Sequence, residues 1–269
     1  MIFTDHFVYV HLPKTGGTFV LRALARLYDV DCSLEVGFSQ PATFRSTHGT
    51  LTASGDKHTA CHKLPGELLE TRDILSNIRN PLDLYVSEFE FGWWKRPERV
   101  ADYEVVDCFR DRYPEFPDIS FEQFLRLQYE TYFEPEYQRE FTDADAPGLA
   151  TWRFVDYYGC TPQATMRQLL RDGLDAVPLG EHIHDVHFLR TRRLNEDLHE
   201  FLRERGFAAG DVEFILHREK AHPYQRSRRG DQHWRDYYRD ELLQLMLRKD
   251  RLIFDLFPQG DCATIGNMA

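Results

Sequence analysis

Apolar and polar positions alternate in blocks along this chain, and the blocks predict strands and helices in turn. Phe7 to Leu12 is a short continuous apolar run, the pattern of a buried strand. Phe19 to Tyr28 has apolar residues at helical spacing and follows a glycine-containing turn. Ala42 to Thr50 reads as a strand ending near His48 and Gly49. Asp73 to Arg79 reads as another core strand, stopped by Asn80-Pro81, and Pro81 suits the first turn of a helix through Leu82, Tyr85, Val86 and Phe89 toward Trp93 and Trp94. Val186 to Arg190 predicts a further strand, Asn195 to Arg205 a helix closed by Gly206, and Tyr237 to Leu256 a long amphipathic helix. Such alternation predicts an α/β fold: a central, mostly parallel sheet covered by helices on both faces, α/β/α, with ligands at the carboxyl ends of the strands.

Length and composition narrow this. The 269 residues fit one domain spanning 1–269, and a net charge of −11 removes any general attraction to nucleic acid or anionic lipid. Residues 95–145 differ in character, with seven basic and fourteen acidic residues among many aromatics. We read them as a mostly helical, acidic and aromatic-rich insertion near an acceptor site, too rich in apolar rings for disorder. The start lacks a basic leader and carries Asp5 within its apolar part, and no run approaches a membrane span. Five scattered cysteines without a C-x-x-C pair suit reduced thiols, so a cytoplasmic location with no integral membrane segment is expected.

The most informative run is His11-Leu-Pro13-Lys14-Thr15-Gly16-Gly17-Thr18, between a buried strand and a helix. Adjacent glycines let backbone approach an anion, the helix start offers free N–H groups, Lys14 adds a cation, and Thr15 and Thr18 add hydroxyls. A Walker A loop would place its lysine after the last glycine, followed by a hydroxyl for magnesium. Here the lysine comes first, which disfavours metal-dependent phosphoryl transfer. Further along, Arg79 ends a strand and Ser87 lies on the next helix, so a guanidinium fork and a hydroxyl can converge on one anion.

Pro13-Lys-Thr-Gly-Gly-Thr18 resembles the 5′-phosphosulfate loop of sulfotransferases that use 3′-phosphoadenosine 5′-phosphosulfate (PAPS), in the form of the heparan-sulfate 2-O-sulfotransferase-like branch. Ile78-Arg-Asn-Pro-Leu-Asp-Leu-Tyr-Val-Ser-Glu-Phe89 resembles the 3′-phosphate element of that family, departing from it at Leu84, where relatives commonly carry arginine. The resemblance covers roughly residues 7 to 92 well and 186 to 257 loosely. It implies a P-loop-like three-layer fold, PAPS as donor, adenosine 3′,5′-bisphosphate as the leaving product and no required metal. It also implies that Gln225-Arg226-Ser227-Arg228-Arg229-Gly230 could close over the donor, with Arg226, Ser227 and Arg229 as cofactor-binding candidates.

For transfer to a hydroxyl, Lys14 can stabilise charge at the bridging oxygen, and His48 is the favoured base because it follows a strand and Gly49 leaves room for an acceptor. The resemblance supports His48 through a related H-G-H context, which this chain alters to His48-Gly-Thr50. His11 and Glu88 are weaker candidate bases. Neither His182/His184/His187 nor His58/Cys61/His62 carries a second ligand pair at zinc spacing, so no metal site is expected. Trp93-Trp94 fits core packing better than an acceptor pocket. The acidic insertion favours a neutral or cationic acceptor: a sugar hydroxyl, glycolipid or small metabolite. An ATP-dependent small-molecule kinase and a non-catalytic nucleotide- or glycan-binding module are the alternatives.

Overall fold

The computed structural model describes residues 1–30, 41–96, 109–133, 135–219 and 233–257. The chain divides into two compact units, one made of residues 1–79, 157–160 and 183–223 and the other of 80–156, 161–182 and 224–269.

The first unit holds a six-stranded sheet: β1 (Ile2–Thr4), β2 (Phe7–Val10), β3 (Ala42–Ser46), β4 (Gly49–Ala53), β5 (Asp73–Ile78) and β6 (Val186–Arg190), in the order β3-β4-β1-β2-β5-β6. β2 pairs with β5, and β5 with β6, in parallel, with Tyr9 opposite Leu75 and Leu75 opposite His187. β1 is antiparallel to both β2 and β4, and β3 to β4, so the sheet is mixed and not mostly parallel. The reason is local. Asp5 and His6 reverse the chain between β1 and β2, and the expected strand over Ala42–Thr50 is a hairpin that turns at 47–48, where Gly49 takes φ 100°.

All four β2 residues are buried, as a strand covered on both sides requires. Phe7 and Tyr9 join Phe19, Val20 and Leu24 of α1 (Gly17–Leu27), together with Leu198, Phe201 and Leu202 of a later helix (Leu194–Glu204), in one apolar core. Burying a side chain of this size contributes about 1.5–3 kcal/mol, so the core holds α1, and the loop before it, firmly on the strands. Ser76 of β5 donates to the Val10 carbonyl at 2.6 Å and lies 2.7 Å from the Tyr158 hydroxyl.

The second unit is helical: the six-residue α2 (Gly66–Thr71) belongs to the first unit, and α3 (Pro81–Phe91), α4 (Phe121–Tyr132), most of α5 (Leu149–Tyr158) and α6 (Pro162–Asp172) belong to the second. The Leu194–Glu204 helix is α7 and the short Ala209–Val212 turn α8, both in the first unit; α9 (Asp240–Lys249) and α10 (Arg251–Leu256) return to the second. Pro81 sits in the first turn of α3 and the Asn80 side chain caps it, accepting from Leu82 N–H at 2.9 Å.

The described part of 95–145 packs into this unit's aromatic core, where Trp94 lies 4.4 Å from Phe124 and its indole donates to the Pro117 carbonyl at 2.9 Å. Trp93 and Trp94 are therefore core residues. The long helix expected over Tyr237–Leu256 breaks at Asp250. That buried carboxylate accepts from Tyr85 at 2.6 Å and from the Thr151 N–H at 2.8 Å, and these partners hold residue 250 out of the helical register. Among the described residues, no helix is long and apolar enough to cross a membrane. Cys61 and Cys160 carry free thiols.

Candidate functional site

β2 ends at Val10 and the chain passes through His11–Gly16 into α1. Lys14 at φ 64° and Gly16 at φ 95° are both left-handed, and their alternation with ordinary residues makes a backbone nest of successive N–H donors. Gly16 caps α1 without a side-chain hydrogen bond, and no acid occupies the first turn. The positive end of the helix is thus open to an anion. Gly16 is favoured by its left-handed backbone, and a Cβ on Gly17 would overlap the His11 ring.

The loop is fastened from behind. The Thr15 hydroxyl donates to the Leu12 carbonyl at 2.7 Å and is fully buried, so it ties the turn together and is not offered to a ligand as expected. Its own carbonyl accepts from Asn77 at 3.1 Å and from the Thr191 hydroxyl at 2.8 Å. Asn77 is held in turn by the Tyr9 hydroxyl at 2.7 Å, and Thr191 also reaches the Ile78 carbonyl at 2.9 Å. Tyr9, Asn77 and Thr191 escape a motif search, since they stand at the ends of three strands whose adjacency appears only in the sheet order.

Arg79 closes the open side. Its guanidinium donates to the Lys14 carbonyl at 2.9 Å, which places a permanent cation beside the nest. Pro13 on the same loop and Thr18 in the first turn of α1 are half-buried. Ser87 lies on the second turn of α3, half-buried; Leu84 is buried on the same helix, an apolar environment in which an arginine would be costly. Arg226, Ser227 and Arg229 lie outside the described residues.

His48 is not at this site. It occupies the β3–β4 turn beside the β1–β2 turn, where Thr50 N–H donates to Asp5 at 2.8 Å, and it packs near Phe207 and Tyr28 with Asp211 at 3.9 Å. That is the opposite end of β2, whose four residues span about 13 Å. The hairpin reversal explains the displacement: β4 runs alongside β2 in the same direction, so its far end, not its beginning, approaches the loop.

What stands there is His58, five residues beyond β4. Its Nδ1 lies 3.0 Å from the His11 carbonyl, and the two imidazoles are 4.9 Å apart. Nδ1–H donating to that carbonyl leaves Nε2 as the basic nitrogen. Burial is the main cause that lowers the His58 pKa below its ordinary 6.5, with Lys57 adding to it, so the ring is neutral at pH 7. His11 is pushed well below 6.5 by burial and then by His58. Packed on Gly17, it shapes the loop.

Glu88 is no base either: it is buried and paired with Arg153, and Gln128 donates to it. Among the described residues, no group of three or more His, Cys, Asp or Glu side chains is arranged to hold a metal ion. No protein-family model matches the chain, and neither a curated protein nor a solved structure shows a significant match to it.

Proposed function

We propose that the protein is a sulfotransferase that moves the sulfuryl group of PAPS to a hydroxyl of a small-molecule or carbohydrate acceptor. The observation that carries this reading is the juxtaposition of an uncapped helix start, a left-handed Lys14–Gly16 nest and the Arg79 guanidinium 2.9 Å from the Lys14 carbonyl. Backbone N–H groups of residues 15 to 18 would hold the 5′-phosphate, Lys14 its bridging oxygen, and Arg79 the 3′-phosphate that distinguishes PAPS from ATP.

The acceptor oxygen attacks sulfur in line, the bond from sulfur to the bridging oxygen breaks, and its electron pair leaves on the phosphate of adenosine 3′,5′-bisphosphate. The acceptor proton passes to Nε2 of His58, the imidazole that lies against the loop. Lys14 stabilises the charge that grows on the leaving oxygen, a contribution of several kcal/mol in such sites, roughly 3–4 by analogy with a single oxyanion donor.

Calorimetry with adenosine 3′,5′-bisphosphate and with ATP, each with and without magnesium, tests the reading. Binding of the bisphosphate without metal, at least tenfold tighter than ATP, is the expected result. Preference for magnesium–ATP would replace it with a kinase, and bisphosphate binding without turnover of labelled PAPS on any hydroxyl acceptor would leave a binding module.

A further inference from the structure

Away from the loop, this acidic chain gathers three guanidinium groups on one patch of the first unit. Arg22 and Arg26 are exposed and four residues apart on α1, on the face that starts at Thr18, about 6 Å from each other along the axis. Arg218 joins them from the turn that follows Glu213–Ile215. This segment is held in place. The Asn195 side chain donates to the carbonyls of Ile215 at 2.6 Å and Arg218 at 2.8 Å, and the Arg26 guanidinium lies 4.1 Å over the Phe214 ring.

Among the described residues, none of the three forms an ion pair, whereas Arg112, Arg153, Arg190, Arg205 and Arg248 each do. Arg218 is half-buried, and its pKa is lowered first by that burial and then by the charges of Arg26 and Arg22. Like charges held together repel one another, and an anion that touches all three relieves that repulsion.

We propose that Arg22, Arg26 and Arg218 form a second anion site on the solvent face of α1, one that takes a multiply charged phosphate or sulfate ester. It differs from the loop in kind. The loop offers backbone N–H groups at the first turn, while this patch offers guanidinium forks one and two turns further on, and Arg218 from a separate segment. A single oxyanion can occupy one fork. A chain of them spans the set, so multivalency is what the spacing selects.

The test is titration of the full chain at low salt with inorganic phosphate, tripolyphosphate and sucrose octasulfate, all with adenosine 3′,5′-bisphosphate present in excess and repeated in Lys14→Ala. Tripolyphosphate or the octasulfate should bind at least tenfold tighter than phosphate, and Arg22→Gln/Arg26→Gln and Arg218→Gln should each weaken that binding tenfold or more, while Lys14→Ala leaves it unchanged. The tighter of the two probes identifies a phosphate or a sulfated-saccharide source. Loss of binding in Lys14→Ala, wild-type affinity in the arginine variants, or no advantage over phosphate would overturn the proposal. Because Arg22 and Arg26 are exposed, thermal unfolding of that variant separates lost binding from lost fold. Lys14→Ala keeps this result apart from the fate of the sulfotransferase reading.

Discussion

The imidazole of His11 lies on the Cα of Gly17, close enough that a methyl group at position 17 would overlap the ring. The second glycine of the loop is therefore fixed by a neighbour that periodicity does not record: His11 precedes the turn and Gly17 follows it. Gly17→Ala should cost about 1–3 kcal/mol in urea unfolding and weaken adenosine 3′,5′-bisphosphate. His11→Ala/Gly17→Ala should regain part of that stability, because the deleted ring leaves space for the methyl group.

Lys14 combines a charged side chain with left-handed backbone at φ 64°. Lys14→Gly keeps that backbone without strain and removes the charge. Turnover of labelled PAPS should fall about 10²–10³-fold while the melting temperature stays level or rises. Equal losses of turnover and stability would assign Lys14 a purely structural role.

Both imidazoles beside the loop have lowered pKa values, so their neutral forms are the ones the fold favours. The unfolded chain takes up protons at these positions first as pH falls below about 6.5. The stability they contribute is complete above that pH and is lost as pH drops through the folded-state values. His11→Phe should flatten this acid slope in urea titrations between pH 7.5 and 5. In activity, His58→Ala should lower kcat about 10²–10⁴-fold, and the wild-type rate should lose its base limb below pH 6.5. An unchanged pH profile in His58→Ala would remove it as the base.

Glu88 and Arg153 form a buried pair in the second unit, with Gln128 donating to the same carboxylate. Glu88→Ala removes the carboxylate from this buried pair with Arg153, and about 3–5 kcal/mol of stability should go with it. All four tryptophans, Trp93, Trp94, Trp152 and Trp234, lie in this unit, so their fluorescence in urea reports the loss directly. Glu88→Leu/Arg153→Met should recover much of it.

The legible parts of this fold were those with local signals. Strand β5, the proline-opened α3, strand β6 and the Lys14–Gly17 turn follow from apolar runs and from the conformational habits of proline and glycine. The hairpin over Ala42–Ala53 did not, because its turn carries no Asn-Gly or Asp-Gly signal and its alternating residues fit one strand as well as two. That single reversal displaced His48: it exchanged the two ends of β4, so that His58 and not His48 lies beside the loop. The Asp250 break was invisible for a different reason, since Tyr85 and Thr151 are distant in sequence.

One hydroxyl, that of Thr191, reaches both the loop carbonyl of Thr15 and the last carbonyl of β5. The turn is in this sense a keystone resting on three abutments, and its shape is not a property of the six residues that spell it. Transplanting Pro13–Thr18 onto another scaffold without counterparts of Asn77 and Thr191 would carry over the letters and lose the curvature.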